Sequence, residues 1–205
     1  LHDLQKRALS GYKVSPYVTP DRFAEALNPA HVAISLSGEP TLYSQLPELI
    51  GLLKSRGYTT FLVSNGTNPD VLSCCAPFQT YVSLPAPDRE TYLSICRPKE
   101  DYWDRIQESL SLLGKRRSAV RVTLVRGLND HGPEQYAALL QDSGAAYIEM
   151  KGYMYLGYSR KRLSREHMPD HAYIREFAGR VAGYCDYRIS DENSSSRVIL
   201  LEKVA

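Results

Sequence analysis

Five times along this 205-residue chain, a short apolar run of β-forming residues stops at a cluster of small, polar or charged side chains. Residues 31–36 lead into Ser37-Gly38-Glu39-Pro40, and residues 59–63 into Ser64-Asn65-Gly66-Thr67. Residues 80–83, ending at Ser83, lead into 84–88, and residues 120–125 into Arg126-Gly127-Leu128-Asn129. Residues 147–150 lead into Lys151-Gly152-Tyr153. Strand-type and helix-type segments alternate as far as residue 150, which predicts a parallel α/β sheet with right-handed crossovers. Such folds gather ligands at the carboxyl ends of their strands. All five polar clusters fall there, the pattern of an enzyme.

The predicted strands are 31–36, 59–64, 79–84, 119–126 and 145–150. Residues 1–10 read as a helix stopped at Gly11, and Thr19-Pro20 as the N-cap and first turn of a second. Helices follow over 45–56, from Pro69, over 101–114, over 133–142 and over 170–182. Trp103, Ile106, Leu110 and Leu113 share one face. Residues 153–169 show no periodicity and read as a long loop. Residues 186–190 and 197–204 then read as a hairpin joined by 191–196.

Composition excludes several classes. A net charge of +2 gives no global field for nucleic acid. The longest apolar stretches have strand length, so no transmembrane helix is expected. The first seven residues lack a signal peptide's apolar core, and a cytoplasmic setting follows by default. Cys74, Cys75, Cys96 and Cys185 fit neither a zinc knuckle nor a disulfide framework, and read as reduced thiols.

Glu39 offers a carboxylate at a strand tip, suited to an ammonium ligand, and Gly38 permits close approach to the backbone. Alone, the tetrapeptide favours a plain β–α turn. Asn65-Gly66-Thr67 presents an amide and a hydroxyl but is also common turn composition. Arg121 and Arg126 should point to opposite faces of their strand, with Thr123 on the face of Arg121. Lys151 is either a Schiff-base lysine, an anion anchor or a solvated strand end. Tyr153, Tyr155 and Tyr158, followed by Arg160, Lys161, Arg162, Arg165 and His167, combine stacking surface with positive charge, as looped RNA requires.

Residues 34–43, 60–67 and 148–160 together resemble one family, tRNA 4-demethylwyosine synthase, the radical-SAM lyase of wybutosine biosynthesis. The resemblance runs from residue 1 to about 204, with 148–169 similar to the family's wyosine-base-formation region. It implies an open, partial TIM barrel over 1–150 and a tRNA-binding extension over 151–205. It implies a 4Fe-4S cluster that cleaves S-adenosylmethionine to a 5′-deoxyadenosyl radical, which attacks the methyl group of N1-methylguanosine beside the anticodon of tRNA-Phe. Two carbons from pyruvate then close a third ring, a second cluster binds pyruvate, and flavodoxin or ferredoxin supplies electrons. Carried onto this chain, Ser37, Gly38, Glu39 and Pro40 match the motif that holds the methionine amino group, and Asn65 and Ser83 match positions near the cofactor. Lys151 falls in the family's Glu-x-Lys segment as the catalytic candidate. Tyr155, Tyr158, Arg160, Lys161, Arg162 and Arg165 are the candidates for tRNA.

The chain departs from the family in lacking Cys-x-x-x-Cys-x-x-Cys, so no metal ligand is assigned within it. In the family that motif lies upstream of the opening helix, and the simplest expectation is that an N-terminal third is missing here. A full eight-stranded barrel needs about 250 residues, and one upstream strand added to the five predicted would make six. The alternatives are another radical-SAM synthase or activase, which residues 148–169 disfavour, and a cluster-free tRNA-binding module.

Overall fold

The computed structural model describes residues 2–36 and 38–204, so the candidate Ser37 lies outside the described residues. One seven-stranded sheet runs in the order β1-β2-β3-β4-β5-β7-β6. Strands β1 (His31–Ile34), β2 (Thr59–Ser64), β3 (Gln79–Ser83), β4 (Ser118–Leu124) and β5 (Tyr147–Gly152) are parallel neighbours in chain order, as predicted. The hairpin β6 (Tyr187–Asn193) and β7 (Val198–Lys203) folds back so that β7 pairs antiparallel with β5. Among the described residues β1 and β6 remain edges, and the sheet is open.

Period-two alternation decides what each face does. Leu62, Val82, Val120, Val122, Leu124, Ile148 and Met150 are fully buried on one face. Over them lie α3 (Leu46–Ser55), α4 (Pro69–Cys74), α6 (Trp103–Ser111), α7 (Pro133–Ser143) and α8 (His171–Ala182). Ile50, Leu72, Ile106, Tyr136, Leu140 and Ile174 of these helices are equally buried. Each such side chain contributes about 1.5–3 kcal/mol, and this layer holds the sheet. The other face carries Phe61, Val63, Tyr81, Ser83, Arg121, Thr123, Glu149 and Lys151, all half-buried. That mixed row is the face of the sheet opposite the helices named above.

Helix ends follow local chemistry. Thr19 accepts from the Arg22 amide at the start of α2 (Pro20–Leu27), after α1 (His2–Leu9). Asp170 accepts from the Tyr173 amide at the start of α8, 2.8 Å away.

One helix escaped the sequence reading. α5 (Arg89–Cys96) begins at Asp88, whose carboxylate accepts from the Thr91 amide at 2.8 Å. Only Tyr92 of α5 is buried, so no apolar period marks it, and the Asp88 cap was the available signal. The predicted helix over 101–114 ends earlier, at Ser111, and continues as a 3₁₀ turn over Leu113–Lys115. β5 runs two residues later than predicted, placing Lys151 inside the strand. The loop over 153–169 contains two 3₁₀ turns, Gly157–Lys161 and Arg165–His167.

Candidate cofactor cavity and basic rim

Glu39 sits at the head of a 3₁₀ turn, Pro40–Leu42, between the tips of β1 and β2. Its Oε1 accepts from the Thr41 amide (3.1 Å), the Thr41 hydroxyl (2.8 Å) and the Ser64 hydroxyl (2.7 Å). Its Oε2 accepts from the Asn65 amide at 2.7 Å. The sequence reading made this carboxylate a direct ammonium ligand. Four protein donors engage the carboxylate, three at Oε1 and one at Oε2, so it braces two strand tips while Oε2 keeps a lone pair for a further donor.

The turn after β2 depends on Gly66. It has φ +76°, and a Cβ there would meet Val82 Cγ1 at 3.0 Å. Its carbonyl accepts from the Ser109 hydroxyl at 2.7 Å, which ties the turn to α6. Asn65 is thereby exposed at the strand end, where its Oδ1 accepts from the Thr67 amide (2.9 Å) and hydroxyl (2.8 Å). A second brace, missed by the sequence reading, joins β3 to β4. Asn129 is buried, accepts from the Val125 amide (2.7 Å), and donates to the carbonyls of Pro85 (2.8 Å) and Thr123 (2.9 Å).

Between these braces lies a cavity of about 520 Å³. Glu39, Asn65, Thr67 and Ser83 line its polar side, and Leu42, Pro85, Tyr92, Tyr102 and Ile106 its apolar side. Three sequence-predicted positions from three different strand ends therefore meet in one place. Its size and mixed lining are those of a small-molecule site.

Lys151 stands apart from that cavity. It pairs across the sheet with Thr123 on β4 and Val198 on β7. Ser83 is level with Arg121 and Glu149, and β5 is two strands from β3, so Lys151 lies roughly 10–12 Å from Ser83 along the same face of the sheet. Its ammonium has no ion-pair partner among the described residues. The neighbouring carboxylate, Glu149, is held by Arg121 through two bonds of 2.8 and 3.1 Å. Arg121 also stacks over the Tyr81 ring at 5.0 Å. Burial, then the Glu149 charge, push the Tyr81 hydroxyl above its ordinary pKa, so it stays protonated.

The loop after β5 divides into anchor and rim. Tyr153 is buried and its hydroxyl bonds to Ser159 at 2.8 Å, so it is an anchor, not the stacking surface expected of it. Tyr158 is 80% exposed and carries Lys161 at 4.3 Å over its ring. Tyr155 carries Arg165 at 6.0 Å. Arg160, Lys161, Arg162 and Arg165 are all exposed.

The cysteines do not converge. No group of three His, Cys, Asp or Glu side chains able to hold a metal occurs among the described residues. Burial foremost, then neighbouring Cys74, pushes the Cys75 thiol up to about 11, far from the thiolate a metal needs.

The sequence profile of the radical SAM superfamily matches residues 10–140, and that of wyosine base formation matches 142–203. The open parallel sheet, helices on one face and cavity at the strand tips are the architecture of the first class. A tRNA 4-demethylwyosine synthase of Pyrococcus horikoshii is 46% identical over 96% of this chain and 60% of its own length. An archaeal TYW1 crystal structure is 37% identical, covers 98% of this chain and 67% of its own, and superposes with a TM-score of 0.84. A structure of TYW1 with a bound lysine–pyruvate adduct reaches 0.91 at 40% identity, over 98% of this chain and 66% of its own. The chain belongs to the tRNA 4-demethylwyosine synthase family of the radical SAM superfamily. It spans about 60% of the length of the Pyrococcus relatives it matches.

Proposed function

We propose that this chain forms the cofactor- and RNA-binding part of an enzyme that builds 4-demethylwyosine on tRNA-Phe from N1-methylguanosine and pyruvate. Residues 1–150 serve as the partial barrel and residues 151–205 as the extension that meets RNA. The observation that carries this reading is the convergence of Glu39, Asn65 and Ser83 on one cavity, in a chain matched along nearly its whole length by this family.

The cavity fits S-adenosylmethionine, which supplies radical chemistry when bound. At its polar end Glu39 braces the tips of β1 and β2. Asn65 and Ser83 offer hydrogen bonds there, and Tyr92 and Tyr102 offer ring surface. A 4Fe-4S cluster does not fit the described cysteines, and no step is assigned to them. Lys151 receives pyruvate. Its uncompensated ammonium on the sheet face opposite the helices suits a carboxylate or keto group, and a related TYW1 structure has a lysine–pyruvate adduct bound. Tyr155, Tyr158, Arg160, Lys161, Arg162 and Arg165 take the RNA. Among the described residues no helix is long and apolar enough to cross a membrane.

Filling the cavity tests this reading. Ser83→Phe adds a ring at the tip of β3 and is expected to weaken S-adenosylmethionine at least tenfold, about 1.4 kcal/mol, with the melting temperature held. Calorimetric titration of the full-length protein measures it. Unchanged affinity would place the cofactor elsewhere.

A further inference from the structure

α5 separates the cofactor cavity from a second cleft of about 380 Å³. Tyr92 and Cys96 face the first, and Ile95 faces the second. Val125 and Leu128 from the end of β4, with Leu163 from the basic loop, complete an apolar floor. Arg97, Arg162 and His167 stand around it.

These three groups are arranged for an anion. Neither Arg97 nor Arg162 has a carboxylate partner among the described residues. Arg97 caps α5 with φ +45° and ψ +55°, a left-handed conformation that glycine or asparagine normally fills. Strain of this kind in a side-chain-bearing residue marks functional positions. His167 Nδ1 accepts from the Ser164 amide at 3.1 Å, which leaves Nε2–H as the donor of the neutral ring.

Uncompensated cations around an apolar floor recognise a phosphate joined to a flat, weakly polar body, which is a nucleotide. We propose that this cleft is a second nucleotide site, taking an unstacked RNA nucleotide next to the one delivered to the cofactor cavity. The base lies on Ile95, Val125, Leu128 and Leu163, and its phosphate sits between Arg97 and Arg162. This rests on the RNA-binding reading above, and the shared loop over 157–167 favours RNA over a free nucleotide. Splayed bases held beside an active site are the usual way single-stranded RNA is positioned.

The test uses the full-length protein and an anticodon stem-loop with 2-aminopurine beside the target guanosine. Wild type should raise the probe's fluorescence on binding. Arg97→Gly should weaken RNA binding about tenfold and lower the salt slope by about one, without lowering the melting temperature, because glycine accepts the left-handed cap. Leu163→Trp, which fills the cleft, should abolish the fluorescence rise. Wild-type binding with both variants unchanged overturns the cleft alone, and absence of wild-type binding overturns the RNA-binding reading with it. A free nucleoside monophosphate that binds as tightly as the stem-loop overturns the assignment to RNA.

Discussion

Glu39→Ala is expected to destabilise the full-length protein by about 2–4 kcal/mol, because truncation leaves several part-buried donors without an acceptor. The Ser64 hydroxyl, the Asn65 amide and both Thr41 donors all converge on this carboxylate. The same change should reduce S-adenosylmethionine affinity well beyond tenfold, since the tips of β1 and β2 lose their common anchor. Glu39→Gln discriminates a brace from a ligand. A carboxylate is acceptor-only, whereas glutamine must turn an NH₂ toward one of four donors. It should therefore cost about 1–2 kcal/mol of stability while keeping the fold. Urea denaturation paired with cofactor titration measures both. A variant with unchanged stability but lost binding would make Glu39 a ligand and not a brace.

Reversing the basic rim should have the largest effect on RNA. With Arg160, Arg162 and Arg165 all changed to glutamate, three exposed cations that the loop turns toward solvent become anions. Each phosphate contact contributes about one unit to the dependence of log affinity on log salt. The slope should fall by about 2–3 units, and binding at low salt should fall most. The melting temperature should shift by less than about 2 °C, because surface substitutions rarely exceed 0.5 kcal/mol. Filter binding across a salt series gives the slope directly. An unchanged slope would make the rim a solvated surface.

The parallel order of β1 to β5 was legible because each strand turns one face toward the helices, so its residues alternate, and its end is punctuated by polar groups. Helix α5 was not legible, since with one buried residue it carries no period. Asn65 and Ser83 were named through the family resemblance, and their meeting in one cavity follows because strand ends in a parallel sheet share one edge. The task of Glu39 did not follow. A carboxylate at a strand tip looks the same in sequence whether or not it also meets the chain's own donors, and the Ser64 and Asn65 contacts show only in the fold. Asn129 escaped for the same reason, its partners lying up to 44 positions away in sequence. Tyr153 differs from Tyr158 only through burial, which a loop without periodicity does not announce.

The most direct measurement is the fate of the RNA. Full-length protein, treated with iron and sulfide under anaerobic conditions and reduced, is given S-adenosylmethionine, ¹³C-labelled pyruvate and tRNA-Phe carrying N1-methylguanosine. Mass spectrometry of the digested nucleosides should show that guanosine converted to a tricyclic product carrying two added carbons, with label from pyruvate. N1-methylguanosine recovered unchanged while S-adenosylmethionine is consumed would contradict the account.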